Sequence, residues 1–175
     1  MYTTKRHFQI DQTLTDSGFI QEHFKRAISF FQRIQYPLQF YSLSSDATAI
    51  LPELTWRSKD DALLGLNIPD DLLPNLSPQA GYWIENVIEL VAEYGLATQV
   101  EILALNPIIP GYPSFTIAAF AQKATPKAEG VVRRWITAAN ELKQHGVDVI
   151  SFQSDGAPAQ LKAMQSVKSD YSLKN

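Results

Sequence analysis

The chain contains no cysteine, which removes disulfides, thiolate zinc sites and thiol nucleophiles together. Only three histidines occur, His7, His23 and His145, and they are too scattered along the chain to suggest a shared imidazole site. Any metal is therefore expected among oxygens. A basic surplus is also missing. The formal net charge is −3, whereas a domain that grips a phosphate backbone unaided gains affinity from each lysine or arginine it sets against a phosphate. Strong autonomous nucleic-acid binding is thereby disfavoured. No apolar run approaches the roughly 20 residues that span a bilayer, and the opening MYTTKRHFQIDQ lacks the apolar core of a signal peptide. The expectation is a soluble, intracellular protein with no membrane partner. A glycine-rich phosphate loop is absent, and no G-x-S-x-G surrounds Ser154.

What is present is enough apolar material for one core. The chain has 175 residues, of which 45% are hydrophobic and 19% charged, long enough for one full-sized domain and short for two. A helix is expected from about Phe19 to Gln32, where Phe19, Ile20, Phe24, Ala27, Ile28 and Phe31 recur at helical spacing; its aromatic stripe is expected to face the core. Pro37 ends that segment. LQFYSLSS (38–45) reads as a strand closing on Asp46, followed by an extended AILPELTW (49–56), a turn RSKDD and ALLGL, which together resemble a hairpin. Pro52 suggests an edge or a bulge.

The stretch NIPDDLLPNLSPQ (67–79) reads as a loop. Ser77 and Pro78 then open a helix with Tyr82, Trp83, Val87, Ile88, Leu90 and Val91 on its apolar face and Gly95 at its stop. TQVEILAL (98–105) and SFTIAAFA (114–121) read as two interior strands joined by a Pro/Gly turn. Lys127 to His145 forms an amphipathic helix with Val131, Val132, Trp135, Ile136, Ala139 and Leu142 on one side, ended by Gly146; Arg133 and Arg134 fall off that face. VDVISF (147–152) is a last strand, after which Asp155 and Gly156 turn the chain into a helix over about 158–166. The fold class expected is α/β, with residues 1–37 as an N-terminal helical segment packing on the core, 38–170 as the core and 171–175 as a frayed tail.

Two acids carry the candidate chemistry. Asp46 and Asp155 each follow an apolar strand, and neighbouring strands of one sheet can bring such ends within a few ångströms. Hard cations such as magnesium take oxygen ligands, keep several waters and need only a few carboxylates plus substrate phosphate. The alternative for both residues is structural: Asp155 caps the following helix and Asp46 hydrogen-bonds a turn.

The local words around these acids resemble those of a known family. YSLSSDATAILPELTWRSKDDALLGL is similar to the segment that carries the first catalytic aspartate in P-element and THAP-type DDE transposases. VRRWITAANELKQHGVDVISFQSDGAPAQLKAM resembles the same family's helix, central strand, second aspartate and following helix. With SFTIAAFA, the likeness covers roughly residues 38–166 in the family's order.

That resemblance implies a ribonuclease-H-like mixed sheet, an antiparallel hairpin plus parallel strands flanked by helices. It implies Asp46 and Asp155 as catalytic metal ligands for Mg2+ or Mn2+, two ions in the complete protein, and DNA as the substrate. It also implies a nuclear location if the host is eukaryotic, and allows a homo-oligomer. The family's third acid, a glutamate on a later helix, has no match after Asp155, and the zinc-binding DNA-recognition module is impossible without cysteine. The chain is thus expected to be a fragment of a transposase-like domain, inactive alone; a non-catalytic ribonuclease-H-like protein-binding module or domesticated remnant is the alternative. A third possibility is a doubly wound small-molecule enzyme, which requires a continuous parallel sheet.

The remaining conspicuous residues have plainer expectations. The pairs Asp60–Asp61 and Asp70–Asp71 are not at EF-hand spacing and are expected in solvated turns. Basic clusters at Lys5–His7, Lys25–Arg26 and Arg133–Arg134 are expected on solvated helix faces. Trp83 and Trp135 are expected in the core rather than stacked on bases.

Overall fold

A computed structural model describes residues 18–19, 21–35, 40–57, 62–68, 84–124 and 127–172. The elements run β1 (Gly18–Phe19), α1 (Gln21–Arg33), β2 (Phe40–Ala49), β3 (Thr55–Arg57), β4 (Ala62–Leu64), α2 (Ile84–Tyr94), β5 (Gln99–Pro107), β6 (Phe115–Gln122), α3 (Ala128–Gln144), β7 (Asp148–Ser154) and α4 (Pro158–Ser172). One mixed sheet has the order β1-β6-β5-β2-β7, and β3 pairs with β4 as a separate antiparallel hairpin. Within the large sheet β2, β5 and β6 pair antiparallel, and β7 joins β2 in the single parallel pair. The fold is α/β, a mixed sheet flanked by helices.

Strand β5 shows why the sheet has two unlike faces. Glu101, Leu103 and Leu105 are buried while Val100, Ile102 and Ala104 are only partly so, the period of two that sends alternate side chains to opposite sides. Register extends the buried face sideways: Leu103 stands opposite Ser45 and Leu105 opposite Leu43 on β2, and Glu101 stands opposite Phe120 on β6. Three helices rest on this face. Phe31 of α1 meets Tyr41 at 5.0 Å and Phe115 at 5.4 Å between ring centroids. Trp135 of α3 stacks on Phe152 of β7 at 5.2 Å with the planes 7° apart, and Gln160 of α4 reaches Ser45.

Parallel strands cannot be joined by a tight turn, so the chain crosses the sheet in α3 between β6 and β7. Gly146, at φ +75°, ends that helix in the left-handed conformation that a side chain disfavours. The amides of His145 and Val147 then donate to the Leu142 carbonyl, and the chain turns directly into β7.

Several boundaries differ from the sequence expectation. The strand expected to close on Asp46 continues to Ala49, because β5 pairs with it residue by residue as far as Ala49↔Gln99; Asp46 is therefore inside a strand. Phe19 belongs to β1, paired with β6, rather than to the helix. Regular structure in 49–56 is limited to Ala49 at the end of β2 and Thr55–Trp56 at the start of β3, and α4 runs past 166 to Ser172. The core stripe of α3 is rotated: Val131, Arg134, Trp135, Ala138 and Leu142 are buried, while Val132, Ile136 and Ala139 are half-buried. Stacking of Trp135 on Phe152 fixes that rotation and carries Arg134 inward. The hairpin, the α1 stripe and the burial of Trp135 follow expectation.

Lys5, Arg6, His7, the acids Asp60, Asp61, Asp70 and Asp71, and the helix-opening Ser77 to Trp83 lie outside the described residues. Among the described residues no helix is long and apolar enough to cross a membrane.

Candidate functional site

The parallel ladder between β2 and β7 ends one residue before each of the two candidate acids. Its last registered pair is Ser45↔Ser154, and the next residue along each strand is Asp46 and Asp155. Adjacent strands lie about 4.8 Å apart, so Ser45 and Ser154, remote in sequence, stand side by side, while beyond them Asp46 continues in β2 and Asp155 leaves the sheet. Their side chains leave in different settings. Ser45 bonds Glu101 on the helix-covered face, so the pleat directs the Asp46 side chain from the opposite face, where the residue is exposed.

Asp155 is exposed as well, just past the end of β7. Its Oδ1 accepts the Ala157 amide at 3.0 Å, an Asx turn that carries the chain through Gly156 at φ +89° into α4. A carboxylate has a second oxygen, so this turn uses only part of its capacity. Asp155 also lines a cleft of about 170 Å3 together with Gln99, Glu101, Val131, Ala157 and Gln160.

Beneath that cleft lies a buried polar network that ties together β2, β5, β6, α3 and α4. Glu101 is 1% exposed and Arg134 7%, and the Arg134 guanidinium donates to Glu101 Oε2. Arg134 Nη1 also donates to Gln122 Oε1 at 2.9 Å, and its guanidinium carbon lies 4.1 Å from the centroid of the Phe120 ring. The Ser45 hydroxyl donates to Glu101 Oε1 at 2.5 Å, and Gln160 Nε2 donates to Ser45 Oγ at 3.1 Å. Burying a charge pair costs several kcal/mol per ion unless both partners are hydrogen-bonded; here both carboxylate oxygens are engaged. Two atoms at the margin, Gln99 Oε1 and Gln122 Nε2, lack partners, but these residues stand opposite each other in the ladder, an acceptor beside a donor. Gln160 Oε1 is buried without a partner too.

Of this network, sequence reasoning placed only Arg134, and placed it in solvent. The signals were there in the phase of each element. Glu101 is in step with Leu103 and Leu105 at period two, and Arg134 sits three residues after Val131 and four before Ala138. Arg133, one position round the helix, is exposed as expected, as are Lys25 and Arg26 on α1.

Among the described residues no group of three or more His, Cys, Asp or Glu side chains is placed to hold a metal ion. A second groove, of about 500 Å3, runs along β7 and α4 and is mainly apolar, with Ile150, Phe152, Leu161 and Met164 in its walls. The sheet has one parallel pair, so the doubly wound small-molecule enzyme loses the continuous parallel sheet on which it depended. Compared with known protein families, with curated proteins and with solved structures, this chain matches none.

Proposed function

We propose that this chain is a ribonuclease-H-like core of the DDE-transposase kind, a fragment of a metal-dependent domain that cuts and joins DNA strands, with Asp46 and Asp155 as its metal ligands. The observation that supports the reading is the parallel pairing of Ser45 with Ser154, each of which is followed by one of the two aspartates, Asp46 within β2 and Asp155 just past the end of β7. The order of elements agrees with it: an antiparallel run of β2, β5 and β6, a crossover helix, then a strand parallel to the first.

The residues fit the chemistry of a hard divalent cation. Mg2+ and Mn2+ prefer oxygen donors, keep much of their water and bind through one or two carboxylates plus substrate phosphate. Asp155 supplies a carboxylate at the cleft and Asp46 one from the opposite face of the sheet, so substrate phosphate and water complete the coordination of a cation at either. When bound, such a cation polarises a phosphoryl oxygen and lowers the pKa of a bound water. The Asx turn at Asp155 fixes that carboxylate against the start of α4, and the ladder through Ser45 and Ser154 ends one residue before each acid. Among the described residues no third acid joins these two, which goes with a chain inactive alone, and with a net charge of −3 its own hold on DNA is weak.

A second reading is a non-catalytic scaffold of the same fold that docks a partner protein. It is favoured by the Asx turn, which already occupies Asp155 Oδ1, and by the departure of Asp46 from the opposite face to Glu101. Melting in the presence and absence of Mg2+ or Mn2+ separates the two. A cation at 100 times its dissociation constant stabilises by about 2.7 kcal/mol; that gain is expected in the wild type and absent from Asp46→Asn and Asp155→Asn. Identical melting with and without metal leaves the scaffold reading standing and removes the catalytic one.

A further inference from the structure

We propose that the open edge of β7 takes an extended segment of a partner protein, apolar at alternate positions and basic at both ends, as an added strand beside the groove between β7 and α4. The proposal stands apart from the reading of Asp46 and Asp155 as metal ligands, and its test is run in chelator.

The sheet order puts β7 at one end, and among the described residues it pairs only with β2. Its outer side therefore carries main-chain donors and acceptors outside the ladder, a template that proteins ordinarily blunt with lysine, proline or a very short strand. β7 has seven residues, DVISFQS, with neither lysine nor proline. The register shift against β2 leaves Ile150 as an extra residue without a partner there, and it is 58% exposed. Leu161 of α4, 49% exposed, and Met164 share the groove of about 500 Å3 with Ile150 and Phe152. An added strand sends every second side chain to one side, so alternate apolar residues meet the groove while main-chain bonds along β7 supply affinity.

Charge decides between occupants. Exposed acids stand at both ends of the strand, Asp148 as its first residue and Asp155 one residue past its last. Among the described residues lining the groove none is basic; Lys162 follows Leu161 on α4 outside that lining. A second copy paired antiparallel about a twofold axis at Ser151 would set each Asp148 opposite the other copy's Ser154 and next to its Asp155. Like charges would then meet at both ends of the pairing, which is destabilising. A segment ending in lysine or arginine meets the same acids with opposite charge.

Two synthetic peptides of alternating valine and threonine, one ending in lysines and the other in glutamates, are titrated into the full chain, with binding read by fluorescence anisotropy and by hydrogen exchange. The lysine-ended peptide is expected to bind about tenfold more tightly, roughly threefold for each acid, and to slow exchange of the β7 amides. Asp148→Asn combined with Asp155→Asn, which keeps an acceptor for the Asx turn, is expected to remove most of that preference. Leu161→Ser is expected to weaken both peptides about tenfold with little change in melting, because the position is exposed. Ile150→Lys sets on the edge the residue that sheets use to block pairing and is expected to abolish binding. Equal affinity for the two peptides, binding that leaves the β7 amides unprotected, or no binding overturns the proposal. So does a wild-type dimer in sedimentation that Ile150→Lys dissociates, which gives the edge to a second copy. None of these results bears on the metal-ligand reading, which the melting response to Mg2+ or Mn2+ decides.

Discussion

The helix-covered face of the sheet and the face opposite it treat their charged residues differently. On the covered face Glu101 and Arg134 are closed on each other and tied to Ser45, Gln122 and Gln160. On the opposite face Asp46 and Thr48 are exposed, and Ser44 accepts a hydrogen bond from Asn106 at 2.8 Å at a half-buried position. The first arrangement is a structural commitment: both ions have left water and each depends on the other. The second leaves a carboxylate free to meet a ligand. A substitution on the covered face should therefore be felt as folding stability, and one at Asp46 as ligand response.

The sharpest break of this contrast is Glu101→Ala. It leaves Arg134 buried without its counter-ion, and removing one member of such a pair costs about 3–5 kcal/mol. Urea unfolding should show a loss of that size, and Arg134→Ala should match it. The double substitution Glu101→Leu with Arg134→Met should recover most of the loss, since apolar residues of similar volume often replace a buried pair at little cost. A loss below about 1 kcal/mol in Glu101→Ala would mean that water reaches the pair and that the covered face is not closed.

These two faces were also unequally legible in the sequence. Strands and helices came through wherever the apolar period was unbroken, as in TQVEILAL and in the α1 stripe of Phe24, Ala27, Ile28 and Phe31. Boundaries failed where pairing overrode the local pattern: β2 runs beyond Asp46 because β5 is long enough to pair with it, a fact no local reading of LQFYSLSS contains. The two aspartates were visible because acids after apolar strands are conspicuous. What precedes them is joined by the β2–β7 register, which links segments remote in sequence. Glu101, Arg134 and Gln160 belong to no motif and lie on three different elements. Arg134 was expected off the apolar face and nothing local singles out Glu101 or Gln160, because only packing decides which polar side chain is trapped on the core side of its strand or helix.

Asp155→Ala sits between the extremes. The Asx turn to Ala157 is an exposed hydrogen bond at the entry to α4, and its loss should cost about 0.5–1.5 kcal/mol in thermal or urea unfolding. Asp155→Asn keeps an acceptor oxygen and should lose less. The difference between these variants measures the turn separately from any ligand effect, because both remove the charge and only one removes the acceptor.

The smallest expected effect on folding is at Asp46. The side chain is exposed on a strand whose backbone is paired on both sides, so Asp46→Asn in chelator should change stability by no more than about 0.5 kcal/mol in either direction. With Mn2+ present the same variant should lose the stabilisation that the wild type gains, and that selective loss distinguishes a ligand from a turn former. Asp46→Ala supports the same distinction, since it removes both charge and acceptor yet should still leave unfolding in chelator nearly unchanged. A loss of more than about 1 kcal/mol in chelator would place Asp46 among the structural residues, give the opposite face a commitment of its own, and remove the contrast from which the metal-ligand assignment draws its support.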